Sequence, residues 1–180
     1  IPVKGHLSYS PFNTITRDQS TNVQVKQPVT NYIQYQNIAN QIFDPENPVK
    51  AIINCAGVYS PSAIRFYFEE QVYDVFDTNL KGVFNSTQAF ITLMDHTQHS
   101  QIISISSLAA TMTNEASAYA AAKAGVEALT KSIAKQASMT SIRANCIAPG
   151  PIQTEFIKDM PEFIVKQGVD RQIINRYFTP

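Results

Sequence analysis

Tyr119 and Lys123 are the two residues whose types and spacing most directly suggest chemistry. They are four residues apart in the alanine-rich stretch SAYAAAKAGVEALTKSIAKQ, which favours a helix, so both side chains leave one helical face a turn apart. A phenol titrates near about 10, and a nearby ammonium group favours the phenolate and lowers that pKa. The pair is a candidate for proton transfer, although surface helices also carry such pairs by chance.

Two polar residues, Ser107 and Asn79, strengthen that interpretation. Ser107 directly follows IISIS, a predicted strand, so its hydroxyl would stand at the carboxyl edge of a sheet and could donate a hydrogen bond to a substrate carbonyl. Asn79 lies within a predicted helix, where an amide either points to solvent or bonds a specific group. Each residue alone has an ordinary structural explanation, but the order Asn, Ser, Tyr, Lys is not explained by four separate coincidences.

Segments that predict strands alternate with segments that predict helices. The predicted strands are residues 49–55, 101–106 and 141–147, preceded by a β-leaning piece at 23–29. The predicted helices are residues 31–43, 64–68, 70–94, 116–137 and, more loosely, 154–177, and residues 1–22 are predicted to be an irregular lead-in. This alternation predicts an α/β fold, a Rossmann-type doubly wound parallel sheet in three α/β/α layers, with ligands beyond the carboxyl ends of the strands.

The composition predicts one domain without a nucleic-acid or membrane partner. The chain has 180 residues, of which 44% are hydrophobic and 16% charged, and fourteen basic residues balance fourteen acidic ones. Its apolar stretches are shorter than the roughly 20 residues that span a bilayer, and no signal-peptide pattern is present. We therefore predict a cytoplasmic location, or a mitochondrial one if a targeting segment precedes residue 1. Cys55 and Cys146 lie in apolar runs, which favours buried thiols over metal ligands or a disulfide.

Residues 49–157 resemble the short-chain dehydrogenase/reductase superfamily. The resemblance rests on five segments, namely INCAG, NLKGVFNSTQAF, IISISSLAA, YAAAKAGVEALTKSIAKQ and IRANCIAPGPIQT. Within the superfamily, the last two segments are most similar to 3-oxoacyl-(acyl-carrier-protein) reductases and related carbonyl reductases. The resemblance implies hydride transfer between NADP(H) or NAD(H) and a small carbonyl or alcohol substrate, with no metal, since the hydride chemistry belongs to the cofactor.

The resemblance also implies a role for each matched residue. Tyr119 would be the general acid for reduction, Lys123 would lower its pKa and bind the nicotinamide ribose, Ser107 would hold the carbonyl oxygen, and Asn79 would position a water. The implied cofactor-binding residues besides Tyr119 and Lys123 are Asn54, Ala56 and Gly57 on the adenosine side and Pro149, Gly150, Ile152 and Thr154 near the nicotinamide and phosphates. In relatives the helices equivalent to 70–94 and 116–137 pair between subunits, so we expect a homodimer or homotetramer.

The sequence departs from the family pattern in several places. The spacing from Ser107 to Tyr119 is one residue shorter than usual, which leaves Ser106 as the alternative catalytic serine, although the strand alignment favours Ser107. No glycine-rich TGxxxGxG turn precedes Asn54, the acidic residue expected near the adenine is absent at residues 27–30, and the final helix and strand do not follow residue 180. Without the first two strands, a gap would open beside strand 49–55.

Two explanations of these departures remain. The chain is a fragment lacking both ends, which we favour, or residues 1–30 supply an unfamiliar replacement. The departures also keep a non-catalytic scaffold open as an alternative function, because the missing turn would hold the cofactor phosphates. A nucleic-acid-binding module ranks last, since no basic patch supports it.

Overall fold

Seven strands and six α-helices make up the described part of the chain. The structure is a computed structural model, and it describes residues 8–10, 12–16, 22–26, 30–112, 116–158, 160, 162–172 and 178–179. The strands are β1 (Ser8–Ser10), β2 (Phe12–Thr16), β3 (Asn22–Lys26), β4 (Ala51–Asn54), β5 (Gly57–Tyr59), β6 (Ser100–Ile105) and β7 (Ile142–Ile147). The helices are α1 (Tyr32–Ile42), α2 (Glu69–Phe76), α3 (Gly82–Phe90), α4 (Ser117–Gln136), α5 (Glu155–Lys158) and α6 (Glu162–Asp170).

A parallel three-stranded core forms the centre of the main sheet. Strand β6 pairs in parallel with β4 on one side and with β7 on the other, so that Ile52, Ile102 and Ala144 lie side by side. The connections between these strands are helical, since α2 and α3 lie between β4 and β6 and α4 lies between β6 and β7. The predicted α/β class with a parallel sheet and flanking helices is therefore confirmed.

An antiparallel hairpin completes the sheet beside β4. Strands β2 and β3 pair with each other, and β2 pairs antiparallel with β4, which gives the order β3-β2-β4-β6-β7. Strand β1 pairs with β5 in a separate two-stranded sheet. The prediction of an irregular lead-in over residues 1–22 is wrong for β1 and β2, because the free edge of β4 offers backbone partners that local sequence patterns do not reveal. The gap expected beside β4 is filled by this hairpin.

The predicted helix over residues 70–94 contains an irregularity at its middle. Helix α2 runs into a π-helical turn, Asp77–Lys81, before α3 and a final 3₁₀ turn, Ile91–Leu93. Asn79 lies in the π-helical turn and is fully buried. Wide turns of this kind frequently occur at functional sites, because they redirect one side chain without ending the helix. The other predicted helix in this region, 64–68, is only the 3₁₀ turn Ile64–Phe66.

The main apolar core lies on one face of the sheet. Ile52, Ile102 and Ile142 of that face pack with buried residues of α1, α3 and α4, including Tyr35 and Phe90, whose rings meet edge to face at 5.7 Å. Helix α1 begins where Asn31 accepts hydrogen bonds from the backbone N–H groups of Ile33 and Gln34. The opposite face is less covered in the described residues, since Ile53 and Ile103 are half-buried and Ile147 is 51% exposed.

Neither cysteine forms a disulfide within the described residues, and the prediction that both thiols are buried is wrong. Cys55 is exposed and Cys146 is half-buried. Cys55 follows the last residue of β4, where the chain leaves the sheet, and Cys146 lies on β7, where buried or half-buried residues alternate with exposed ones.

The described residues include no helix long and apolar enough to cross a membrane. They also contain no group of three or more His, Cys, Asp or Glu side chains that could hold a metal ion.

Candidate active site

Helix α4 carries Tyr119 in its first turn and Lys123 one turn later. Both side chains are buried against the carboxyl ends of β4, β5 and β6. Burial of Lys123 is unusual, because a lysine amine is cationic at its ordinary pKa. The ammonium Nζ of Lys123 donates a hydrogen bond of 2.7 Å to the carbonyl oxygen of Ile105, the last residue of β6. The same Nζ lies 5.7 Å from the centroid of the Tyr119 ring. The structure thus brings the tyrosine and the lysine together at the predicted edge of the sheet.

Ser107 and Ser106 point to different sides of α4. The Ser107 side chain lies near the phenol of Tyr119 and lowers its pKa, and the Ser107 Oγ accepts from the backbone N–H of Ala109 at 3.2 Å. The Ser106 hydroxyl is 3.1 Å from both the backbone oxygen of Lys123 and Oε1 of Glu127, away from the Tyr119 phenol. The geometry therefore favours Ser107 over Ser106 as the serine of the candidate site.

Burial sets the protonation of both central groups. Burial raises the pKa of Tyr119 to about 12, and the nearby Ser107 side chain only partly offsets this effect. Burial lowers the pKa of Lys123 to about 8. The sequence led us to expect a lowered phenol pKa, and the direction found here is the opposite, because loss of water around the phenol outweighs its polar neighbours. Tyr119 is consequently a neutral proton donor at neutral pH.

Asn79 clamps the strand that precedes the site. Its side-chain NH₂ donates to the backbone oxygen of Val58 at 2.8 Å, and its Oδ1 accepts from the Val58 N–H at 2.9 Å. The solvent-exposed alternative for Asn79 is therefore wrong. A Cβ built on Gly57 would lie 2.9 Å from Oδ1 of Asn79 and 3.6 Å from Nζ of Lys123. Asn79 and Lys123 thus lie against the same glycine, which leaves no room for a side chain there.

The predicted cofactor-binding residues fall into two groups. Asn54 is buried between elements, where its amide nitrogen lies 3.2 Å from Oγ1 of Thr87 and 3.4 Å from Oγ of Ser104, and Ala56 and Gly57 follow it at the end of β4. Pro149 and Gly150 follow β7, and the Pro149 carbonyl accepts from the N–H of Leu108 at 3.0 Å. That bond joins the loop after β7 to the loop after β6.

Ile152 and Thr154 continue the loop after β7. Ile152 is half-buried and forms an isolated parallel bridge with Phe178, whereas Thr154 is exposed. The Thr154 hydroxyl lies 3.4 Å from the carbonyl oxygen of Ile152. Both residues therefore lie on the segment that leads from Gly150 into α5, at the same edge of the sheet as Ser107.

Sequence analysis missed the aromatic residues around Tyr119. The Tyr59 ring meets that of Tyr119 edge to face, with centroids 5.0 Å apart, and the Phe156 ring lies at 6.5 Å. Tyr67 contacts the same cluster of buried side chains. No local pattern marks these three residues, because their proximity to Tyr119 depends on contacts between distant parts of the chain.

The site fits one half of a nicotinamide dinucleotide. Lys123 retains donors beyond its single bond to Ile105, the Tyr119 phenol is beside it, and Gly57 keeps the adjoining space free of a side chain, a donor set suited to a sugar hydroxyl and a carbonyl oxygen. The fit for the phosphates is poorer. In the described ranges, the strand beside β4 is the antiparallel β2, and no glycine-rich turn opens a helix there.

Most of the chain matches a known protein family. The model of the short chain dehydrogenase family matches residues 12–164. This chain belongs to the short chain dehydrogenase family. It is 31% identical over 153 residues to a 3-oxoacyl-(acyl-carrier-protein) reductase of Thermotoga maritima, with 84% of this chain and 62% of the relative covered. It is also 31% identical over 134 residues to an acetoacetyl-CoA reductase of Paracoccus denitrificans, with 74% and 55% covered.

A solved structure shows the same fold. The ligand-free aldohexose dehydrogenase of Thermoplasma acidophilum superposes with a TM-score of 0.74 at 25% identity, over 87% of this chain and 66% of that one. The two curated relatives are longer than this chain, which spans 62% of the Thermotoga maritima reductase and 55% of the Paracoccus denitrificans reductase.

Proposed function

We propose that the protein is an NAD(P)(H)-dependent oxidoreductase that interconverts a carbonyl and a secondary alcohol. The observation that carries the proposal is the convergence of Tyr119, Ser107 and Lys123 at the carboxyl ends of the parallel strands. Membership of the short chain dehydrogenase family supports it, as do the relatives, which are named as reductases of 3-oxoacyl and acetoacetyl substrates. We propose 3-oxoacyl compounds as the first substrates to assay.

Tyr119 acts as the acid in the direction of reduction. Its phenol is protonated at neutral pH because burial raises its pKa to about 12, so it carries a proton for the oxygen of the substrate carbonyl. Ser107, which lies near that phenol, donates to the same oxygen and stabilises the negative charge that develops there. The nicotinamide, when bound, supplies the hydride to the carbonyl carbon.

Lys123 and Asn79 arrange the space beside Tyr119. Lys123 holds a ribose hydroxyl with the donors left after its bond to Ile105, and its charge stabilises the phenolate that remains when Tyr119 has given up its proton. Asn79 positions a water that returns a proton towards Lys123. The remainder of the cofactor cleft is lined by Asn54, Ala56, Gly57, Pro149, Gly150, Ile152 and Thr154.

Replacement of Tyr119 tests the proposed acid. In Tyr119→Phe only the hydroxyl is lost, so reduction of acetoacetyl-CoA with NADPH or NADH should fall at least a hundredfold. Cofactor affinity should change little, because the proton is needed in the transition state and not for binding. Tyr73→Phe is the matched control, since Tyr73 is 60% exposed on α2 and donates to Glu69. Retention of more than a tenth of the turnover by Tyr119→Phe would remove Tyr119 from the mechanism.

A homodimer or homotetramer is also proposed. Helix α3 exposes the aromatic ring of Phe84 by 50%, an apolar surface that packing on one face of the sheet does not require. Light scattering of the purified protein should give a mass of two or four chains. A monomeric mass at micromolar concentration would contradict the proposed assembly.

A non-catalytic scaffold is the second candidate. It is favoured by one observation, the antiparallel hairpin β2–β3 beside β4, where the described residues provide no glycine-rich phosphate turn. Calorimetric titration of the 180-residue chain with NADPH and NADH separates the candidates. Micromolar binding supports the oxidoreductase, whereas absence of saturable binding at submillimolar cofactor supports the scaffold.

A further inference from the structure

Among the described residues next to α4 in the sequence, no side chain caps the N-terminus of this helix. Ala116 occupies the N-cap position and has no side-chain oxygen to accept a hydrogen bond, and the first turn contains no acidic residue. The first intrahelical bond near this end joins the N–H of Ala120 to the carbonyl of Ala116 at 2.9 Å. An acceptor from a distant part of the chain can therefore serve one of the earliest N–H groups of α4. This end of the helix carries Tyr119 in its first turn.

The phenol of Tyr67 supplies one of these acceptors from 51 residues away. Its oxygen accepts from the backbone N–H of Ala118 at 3.3 Å, and its O–H donates to the carbonyl of Ser60 at 3.1 Å. Ser60 follows Tyr59 at the end of β5, and Ala118 precedes Tyr119 in α4. A single hydroxyl thus bridges the two backbone segments that bear the edge-to-face pair Tyr59 and Tyr119.

We propose that Tyr67 is a positioning residue for Tyr119, holding the first turn of α4 at a fixed distance from the end of β5. The inference rests on the proposed function of Tyr119 as proton donor, but its structural half stands without it. A displacement of about 1 Å in a reacting group can cost two orders of magnitude in rate, so a loosened first turn would lower turnover even when substrate and cofactor still bind.

The hydroxyl and the ring of Tyr67 contribute separately. The ring is half-buried and packs against the buried cluster that includes Val58, Val75 and Ala118. Burial raises the pKa of the Tyr67 phenol, which keeps the hydroxyl protonated and able to donate to Ser60. Tyr67→Phe keeps the packing of the ring and removes both hydrogen bonds.

The test compares Tyr67→Phe with Tyr73→Phe. Tyr73 is a second phenol on the neighbouring α2 that donates only to Glu69 in the described contacts, so its loss controls for removal of a tyrosine hydroxyl. We expect turnover of Tyr67→Phe to fall about tenfold with KM for substrate and cofactor nearly unchanged, and Tyr73→Phe to match the wild type. A fall in thermal stability with unchanged turnover of the folded protein would overturn the proposal, because a merely structural role predicts that result.

Amide hydrogen exchange gives a readout that does not depend on activity. Loss of the Tyr67 acceptor should speed exchange in the segment containing Ala118 and Tyr119 about fivefold, with little change at the far end of α4. If the wild-type protein reduces no substrate, faster exchange in Tyr67→Phe still supports the positioning role while the proposed function fails. Unchanged exchange in that segment would overturn the positioning role itself.

A substitute cap provides rescue. Ala116→Ser adds one hydroxyl at this buried N-cap, where it can accept from the first-turn N–H groups. The double variant Tyr67→Phe/Ala116→Ser should recover at least half of the lost turnover and the slow exchange. Recovery of slow exchange without recovery of turnover would show that the α4 cap does not position Tyr119, and would overturn the proposal.

Discussion

The ring of Tyr119 meets the ring of Tyr59 edge to face, with centroids 5.0 Å apart and planes at 74°. Tyr59 ends the short strand β5, and Tyr119 lies in the first turn of α4, so the contact joins two elements distant in the sequence. Phe156 lies on the same ring at 6.5 Å. Two aromatic neighbours therefore restrict the plane of the Tyr119 phenol.

We expect Tyr59→Ala to weaken both the fold and the proposed reaction. Tyr59 is buried, and removal of a large aromatic side chain from such a position costs about 3 to 5 kcal/mol of unfolding free energy. Turnover should fall more than cofactor affinity, because the Tyr119 ring loses its edge-to-face neighbour. Urea denaturation and steady-state kinetics measure the two effects. Tyr59→Phe, which keeps the ring, is the control, and an equal loss in both variants would contradict a role for ring packing.

A second expectation concerns Gly57, where there is no space for a side chain. A Cβ there would lie 2.9 Å from Oδ1 of Asn79, whose amide is already held by both backbone groups of Val58. Gly57→Ala should therefore lower the unfolding free energy by about 1 to 3 kcal/mol, the usual cost of overpacking.

Gly150→Ala is the matched control for the Gly57 variant. The Cβ it adds would first meet Oε1 of Gln172 at 3.0 Å, which is the end of a flexible side chain that can move aside. Denaturant midpoints of the two variants decide the question. A Gly57→Ala protein no less stable than Gly150→Ala would show that the Asn79 clamp yields easily.

The sequence predicted the parallel core because its signals are local. Residues 49–55 and 141–147 contain the strands β4 and β7, and residues 101–106 overlap β6, which begins one residue earlier, since continuous apolar runs between turn residues are typical of buried strands. The hairpin β2–β3 was only half predicted, from the β-leaning piece at 23–29, of which residues 27–29 lie outside the described part of the chain. Pairing of β2 with β4 is a long-range contact and has no local signature.

The candidate site was predictable in its residues but not in its electrostatics. Motif spacing brought Tyr119, Lys123 and Ser107 together, and the structure places them within one site. The direction of the Tyr119 pKa was wrong because sequence spacing shows a nearby charge but does not show the extent of burial. Asn79 hydrogen-bonds the backbone of Val58, and Tyr67 hydrogen-bonds the backbone of Ala118. No spacing rule in the sequence identifies these backbone partners.

The buried lysine predicts a specific dependence of stability on pH. Burial lowers the pKa of Lys123 from 10.5 to about 8. Below pH 8 the side chain is protonated in both the folded and the unfolded chain, and the full cost of burying its charge is present. Between pH 8 and 10.5 the unfolded chain binds more protons than the folded one, so this contribution to the free energy of unfolding rises with pH.

Tyr119 opposes this trend only at higher pH. Its pKa is raised from 10.0 to about 12, so above pH 10 the unfolded chain loses the phenol proton first and the folded state is destabilised. Burial also raises the pKa of the Cys146 thiol, which titrates in the interval from pH 7 to 10, so the contribution of Lys123 is isolated by comparison with a variant that lacks the lysine. Over that interval the wild type should gain about 2 kcal/mol of unfolding free energy relative to Lys123→Met, which has no titrating group at that position.

Urea denaturation of wild type and Lys123→Met at pH 7, 8, 9 and 10 measures this gain directly. Lys131→Met is the matched control, because Lys131 is exposed on the same helix and its replacement removes no buried charge. The difference between wild type and Lys131→Met should stay constant across the series. A constant difference for Lys123→Met as well would mean that Lys123 keeps its ordinary pKa in the folded protein. Its ammonium would then be fully charged during the proposed reaction, and stabilisation of the Tyr119 phenolate by that charge would persist throughout this pH range.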